Sequence, residues 1–169
     1  MKDVQAAEET TWCEVTTTVN GRQVRFVAEG RQLLSDALRE QVGATGVRIG
    51  CEHGICGSCT VLMDGSAVRS CLMFAAQADG HEIRTVESLA DGNKLGFVQE
   101  AFRQEHGLQC GYCTAGIMLS TMELLERNPH PSEPEVMDML GGHLCRCTGY
   151  QQVLNAINAA IGLREEAAP

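Results

Sequence analysis

Basic charge is scarce in this chain. Thirteen lysines and arginines stand against 22 aspartates and glutamates in 169 residues, a net charge of −9, and they form no basic block. A nucleic-acid surface needs a basic footprint, so that class of partner is excluded. Long apolar runs are also missing. Nothing approaches the roughly 18 consecutive apolar residues of a membrane span, and Met1 to Glu9 has no apolar stretch of the kind found in a secretory signal. The expectation is a cytoplasmic protein. No nucleophile–base pair, paired carboxylates or phosphate loop is present, so the chain shows no substrate chemistry of its own.

Cysteine, by contrast, is plentiful: there are nine. An odd count in a chain made in a reducing compartment argues against a disulfide framework. Eight of them fall into two groups. Cys51, Cys56, Cys59 and Cys71 are spaced C-x4-C-x2-C with a fourth cysteine eleven residues on. Cys110, Cys113, Cys145 and Cys147 are a C-x2-C pair and a distant C-x-C pair. Four thiolates are the ligand count of a [2Fe–2S] centre, and the first spacing is that of plant-type ferredoxins. Two such centres in one short chain imply an electron relay.

Zinc also takes four cysteines and is the alternative at both sites. At the first, Gly50, Gly54 and Gly57 favour iron–sulfur, because glycines permit the φ > 0 turns and close amide approach that a cluster's sulfurs demand. At the second, Cys110 and Cys113 precede a helix opening at Thr114, and Cys145-Arg146-Cys147 precede one opening near Thr148. Helix N-termini favour anions, but spacing alone leaves zinc open there. Cys51-Glu52-His53 is half of a Rieske-type signature. With no C-x2-H partner in the chain that reading fails, and His53 is a loop residue beside the site. Cys13 is expected to be a small core residue, and Met118 and Met122 to be helix packing.

The periodicity changes midway. Cys13, Val15, Thr17 and Val19 alternate, Asn20-Gly21 follows, and Val24 and Phe26 resume, which signals a β-hairpin. Leu34, Ala37, Leu38 and Val42 predict a helix ending at Gly43. Thr60 to Met63, Asp64-Gly65 and Ala67 to Arg69 predict a second hairpin, and Ile83 to Val86 a last strand. From there the spacing is helical. One helix is marked by Leu95 to Phe102, and a second runs from Thr114 to a stop at Pro129. A third opens at the capping box Ser132-Glu133-Pro134-Glu135. A fourth carries Tyr150, Val153, Leu154, Ile157 and Ile161, with Gly162 as its C-cap. The expected fold class is α+β, with a boundary between Leu89 and Lys94.

Three motifs carry a family resemblance. Gly50 to Val61 (GCEHGICGSCTV) resembles the first cluster motif of the iron–sulfur subunit of molybdenum hydroxylases, the xanthine oxidase family. Gln109 to Thr114 (QCGYCT) and Leu144 to Tyr150 (LCRCTGY) resemble its second. The resemblance covers roughly residues 13–162 in the expected order. The polar, acidic N-terminus is expected to be a flexible tail over 1–12, and the resemblance implies a plant-type ferredoxin β-grasp domain over 13–90 and a four-helix-bundle [2Fe–2S] domain over 91–169. It also implies two partners, a large subunit holding a molybdenum–pterin cofactor and a medium subunit holding FAD. Electrons would pass from molybdenum to the C-terminal cluster, to the N-terminal one, and on to the flavin. Gln109 would hydrogen-bond the pterin, and Cys147 would touch it through its sulfur while ligating iron. That the chain ends soon after the fourth helix fits a separate subunit rather than a fused form. Three positions depart from the family: Ala115 stands for the usual proline, Ser58 for alanine and His143 for asparagine. A free two-cluster ferredoxin is the alternative function.

Overall fold

The computed structural model describes residues 11–167, an α+β fold with a five-stranded sheet and five α-helices. Strands β1 (Trp12–Val19) and β2 (Arg22–Glu29) pair antiparallel from Trp12↔Glu29 to Val19↔Arg22. Asn20 and Gly21 turn the chain at φ 51 and 75, the left-handed pair that a two-residue hairpin turn requires. Val15, Thr17 and Val19 are buried on one face, as the alternation predicts, but Cys13 near the strand end is only half-buried and stays outside the core. Of the tail expected over 1–12, residues 1–10 lie outside the described residues, and Trp12 already belongs to β1.

Helix α1 (Leu34–Glu40) buries Leu34, Ala37 and Leu38 completely. Gly43 follows at φ +80 and lets the Ala44 amide turn back onto the Leu38 carbonyl at 2.8 Å. Strands β3 (Thr60–Met63) and β4 (Ser66–Arg69) form the second hairpin around Asp64-Gly65, and β5 (Glu82–Arg84) completes the sheet. The strand order is β2-β1-β5-β3-β4, with β5 parallel to β1 and antiparallel to β3. β5 stops short of the expected Val86. The Thr85 amide and hydroxyl are taken by the Asn20 side chain, each at 2.8 Å, and Val86–Leu89 curls into a 3₁₀ turn.

The helical half contains α2 (Phe97–Gln104), α3 (Thr114–Arg127), α4 (Glu133–Gly141) and α5 (Gln151–Ala167). Helix α4 has the expected capping box: the Ser132 amide donates to Glu135 Oε2 at 2.8 Å, with Pro134 in the first turn. Gly162 does not end α5, which runs on to Ala167. A helical glycine costs only about 1 kcal/mol relative to alanine, and packing outweighs it here. Leu163 packs against the helical core, and the Arg164 guanidinium reaches the Leu125 carbonyl.

Two cores result, and β3 lies between them. Period-2 alternation sends neighbouring side chains to opposite faces. Val61 therefore joins Val15, Leu34, Leu38 and Ile83 in the sheet core, while Leu62 joins Phe102, Ile117, Leu125 and Ile157 in the helical core. All four residues of β3 are buried. The loop leading into β3 carries the first cysteines, so this packing brings the two cysteine groups face to face. Among the described residues no helix is long and apolar enough to cross a membrane.

Candidate metal centres

The first group is built on the loop before β3 and the 3₁₀ turn Ser70–Leu72 after β4. Cys51 and Cys56 are half-buried, and Cys59 and Cys71 are buried. The loop winds through left-handed residues: Glu52 (φ 53), Gly54 (φ 74) and Gly57 (φ 77). That winding turns amides toward sulfur. The His53 and Cys56 amides both donate to Cys51 Sγ at 3.4 Å, and together with Ile55 they lower the Cys51 pKa to about 6. Burial pushes Cys71 up to about 11, with the Cys59 thiol beside it adding to the shift, while the Gly54 amide pulls the other way. His53 is exposed and its ring turns back to the Cys51 carbonyl.

The second group joins the N-terminus of α3 to the segment before α5. Cys113 is the N-cap residue of α3 and is buried; Cys110 and Cys147 are exposed. The Cys110 and Cys147 sulfurs lie 3.5 Å apart. The Tyr112 amide and Cys147 lower the Cys110 pKa, and Cys110 raises that of Cys147. Burial raises Cys113 to about 12, helped by its contact with Cys145. At Cys145 burial acts upward, but the Thr148 hydroxyl at 3.1 Å and the Thr148 amide at 3.5 Å outweigh it and bring the thiol to about 7. The second helix does not open near Thr148, as the sequence leads one to expect. Gly149 (φ 65) and Tyr150 (φ 69) are left-handed, so α5 begins at Gln151 and Thr148 itself serves Cys145.

Within each group the thiols lie beside one another. In the first group Cys51 lies beside Cys56 and Cys59 beside Cys71. In the second Cys110 lies beside Cys147 and Cys113 beside Cys145. Among the described residues no three histidine, cysteine or carboxylate side chains converge as the ligands of a single ion do. A tetrahedral zinc draws four sulfurs onto one centre, whereas a two-iron core takes two thiolates per iron and spreads them. The Cys110–Cys147 approach at 3.5 Å is one such thiolate pair. At Gly50 an added Cβ would stand 2.9 Å from Cys56 Sγ, so the position leaves no room for a side chain.

Gln109 is exposed next to Cys110 and on the same surface as Cys147. The groups meet across a seam that no local sequence signal marks. The Leu144 amide, next to Cys145, donates to the Cys56 carbonyl at 3.0 Å. His143 is buried against Gly57, its Nε2 2.8 Å from Ser120 Oγ, and burial lowers its pKa to about 4 with Arg69 contributing. The Tyr150 hydroxyl accepts from the Cys145 amide at 2.8 Å and donates to the His143 carbonyl at 3.1 Å. Ala115 sits in the first turn of an intact α3, and Ser58 is buried.

Residues 17–90 match the 2Fe-2S iron-sulfur cluster binding domain family, and residues 85–158 the [2Fe-2S] binding domain family. The chain is 54% identical to the nicotine 6-hydroxylase small subunit of Paenarthrobacter nicotinovorans, over 88% of this chain and 90% of that one. This decides the family. The chain belongs to the small iron–sulfur subunits of the xanthine-oxidase-type molybdenum hydroxylases. Other relatives agree. The caffeine dehydrogenase gamma subunit of Pseudomonas sp. (strain CBB1) is 47% identical, over 86% of this chain and 89% of that one. A chain of quinoline 2-oxidoreductase from Pseudomonas putida 86 superposes with TM-score 0.87 at 48% identity, covering 92% of this chain and 97% of that one. As a member of this family the chain is a subunit of an oxidoreductase complex and carries two 2Fe-2S-binding domains.

Proposed function

We propose that the chain is the electron-transfer subunit of a multi-subunit molybdenum hydroxylase, relaying electrons from a molybdenum–pterin site through two [2Fe–2S] clusters to FAD. Cys51, Cys56, Cys59 and Cys71 hold one cluster, with Cys51 and Cys56 on one iron and Cys59 and Cys71 on the other. Cys110, Cys113, Cys145 and Cys147 hold the second, paired Cys110 with Cys147 and Cys113 with Cys145. Bound there, each cluster supplies one-electron redox chemistry. The sheet-bearing half, 13–90, is then a plant-type ferredoxin β-grasp domain, and 91–169 is its four-helix partner.

The observation that carries this reading is the contact between the groups. The carbonyl of Cys56 and the amide beside Cys145 share a hydrogen bond of 3.0 Å, so a ligand of one set is joined to a ligand of the other through one hydrogen bond and one residue. A free carrier has no need to place Gln109 and Cys147 together at the surface. In this proposal they meet the pterin of the large subunit, and exposed Leu108, Tyr112 and Leu144 around them are covered by it. The medium, FAD-holding subunit covers the first loop, where Ile55 and Leu72 are exposed.

The chain's own groups prepare both sites. Amides lower Cys51 and Cys110 toward the thiolate that metals bind, while Cys71 and Cys113 must lose a proton from a buried position as the cluster assembles. Loading therefore releases protons and is favoured by rising pH. The names of three relatives point to nicotine, caffeine and quinoline, so the substrate of the complex is proposed to be an aromatic nitrogen heterocycle, handled in the cytoplasm by the large subunit. The test is Cys110→Ser in the assembled complex. Substrate-driven flavin reduction should stall while the N-terminal cluster remains detectable, and normal flavin reduction would sink the route.

A further inference from the structure

Arg69 ends β4, two residues before Cys71, and its guanidinium crosses the seam. One nitrogen donates to Thr60 Oγ1 and another to the Gly142 carbonyl at 2.7 Å, a partner 73 residues away in sequence. Thr60 Oγ1 in turn donates to the Gly57 carbonyl at 2.6 Å. Gly57 sits between Cys56 and Cys59, and Gly142 stands three residues before Cys145. The fork therefore ties the backbone of one cysteine loop to the backbone of the other.

No carboxylate lies within ion-pair distance of Arg69 among the described residues. A cleft of about 410 Å³ opens behind it, lined by Glu123, Arg127, Glu135 and Asp138 as well as His143 and Ser120. Of these acids, Glu135 is already engaged by Ser132 and Asn128. The cation is thus half-buried, unpaired, and hydrogen-bonded only to neutral oxygens. It sits on the seam between the two cysteine loops.

We propose that Arg69 is a positioning residue for inter-cluster electron transfer: it fixes the spacing of the two cysteine loops with its fork and raises the reduction potential of both clusters with its charge. The inference rests on the two-cluster assignment above. Its physical basis is direct. Each cluster gains a negative charge on reduction, and a nearby cation in a partly desolvated seam favours that state. A planar fork that bonds the Thr60 hydroxyl and the Gly142 carbonyl at once is also something lysine cannot reproduce, since an ammonium is a point charge on a flexible stem.

The test is an EPR-monitored redox titration of the full chain, purified anaerobically with its clusters, in wild type, Arg69→Lys and Arg69→Met. In Arg69→Met both midpoint potentials should shift downward, and the mutual broadening of the two reduced-cluster signals should weaken. Arg69→Lys keeps the charge, so its potentials should stay near wild type while the broadening still weakens. Unchanged potentials and broadening in Arg69→Met, with both signals at full intensity, would overturn the proposal. If Arg69→Met does not fold, Thr60→Val removes one arm of the fork and keeps the cation. It should weaken the broadening without moving the potentials, and unaltered broadening there overturns the positioning role. Failure of the wild type to show two cluster signals would instead refute the assignment beneath it.

Discussion

The two cysteine loops use glycine for different reasons. In the first loop every glycine is crowded. A Cβ at Gly50 would stand 2.9 Å from Cys56 Sγ, one at Gly54 would stand 2.4 Å from Leu72 Cδ1, and one at Gly57 would stand 2.4 Å from His143 Nδ1. In the second, Gly111 (φ +79) and Gly149 (φ +65) have nothing within 4 Å of such an atom. The first loop therefore needs the missing side chain as well as the backbone freedom, because Cys56, Leu72 and His143 crowd its glycines. The second needs only the freedom. The first set of ligands is built into the interior seam, whereas the second shows Cys110 and Cys147 to the outside.

The sharpest way to separate the loops is Cys113→Ser. One [2Fe–2S] signal should disappear from the EPR spectrum of the reduced chain while the N-terminal signal persists. Loss of both would mean that the two sites do not load independently. Next in size is Gly57→Ala, which forces an atom into His143 and the Gly142 carbonyl. It should cost about 2–4 kcal/mol in denaturant unfolding of the holoprotein. Gly111→Ala is the control in the other loop. Only the left-handed backbone opposes it, so about 1–2 kcal/mol is expected. Equal costs would erase the distinction.

Smaller again is Tyr150→Phe. Losing a hydroxyl that bridges the Cys145 amide and the His143 carbonyl should cost roughly 1 kcal/mol and alter the second cluster's EPR signal, leaving the first unmoved. The smallest effect is one of pH. Glu100 on α2 is held down to about 2 by Arg103, with Gln104 assisting, from an ordinary carboxyl value of 4.5. Between those values the unfolded chain binds more protons than the folded one. Its contribution to stability is therefore present above about 4.5 and lost as pH falls toward 2. Glu100→Gln should flatten that acid limb slightly in pH-dependent thermal melts.

The grouping of eight cysteines into two sets was legible in the sequence, and the structure brings Cys110 to Cys147 across 37 residues. Both hairpins were legible from Asn20-Gly21 and Asp64-Gly65, where local turn residues decide the register. What lay hidden was long-range. Arg69 meets Gly142 only because β3 is pressed between two cores, and nothing near either residue announces it. Gly162 looked like a helix stop because local propensity says so, and Arg164 and Leu163 override it from outside the local window. Tyr150 looked like the first apolar position of α5. The structure gives its hydroxyl a different task, pinning the turn before the helix.

The most direct test of the two-cluster relay is low-temperature EPR on the full chain isolated anaerobically with its partners and reduced in steps. The account predicts two distinct [2Fe–2S] signals that broaden each other once both are reduced, accompanied by a Mo(V) signal. A colourless, EPR-silent protein carrying zinc in place of iron would contradict it.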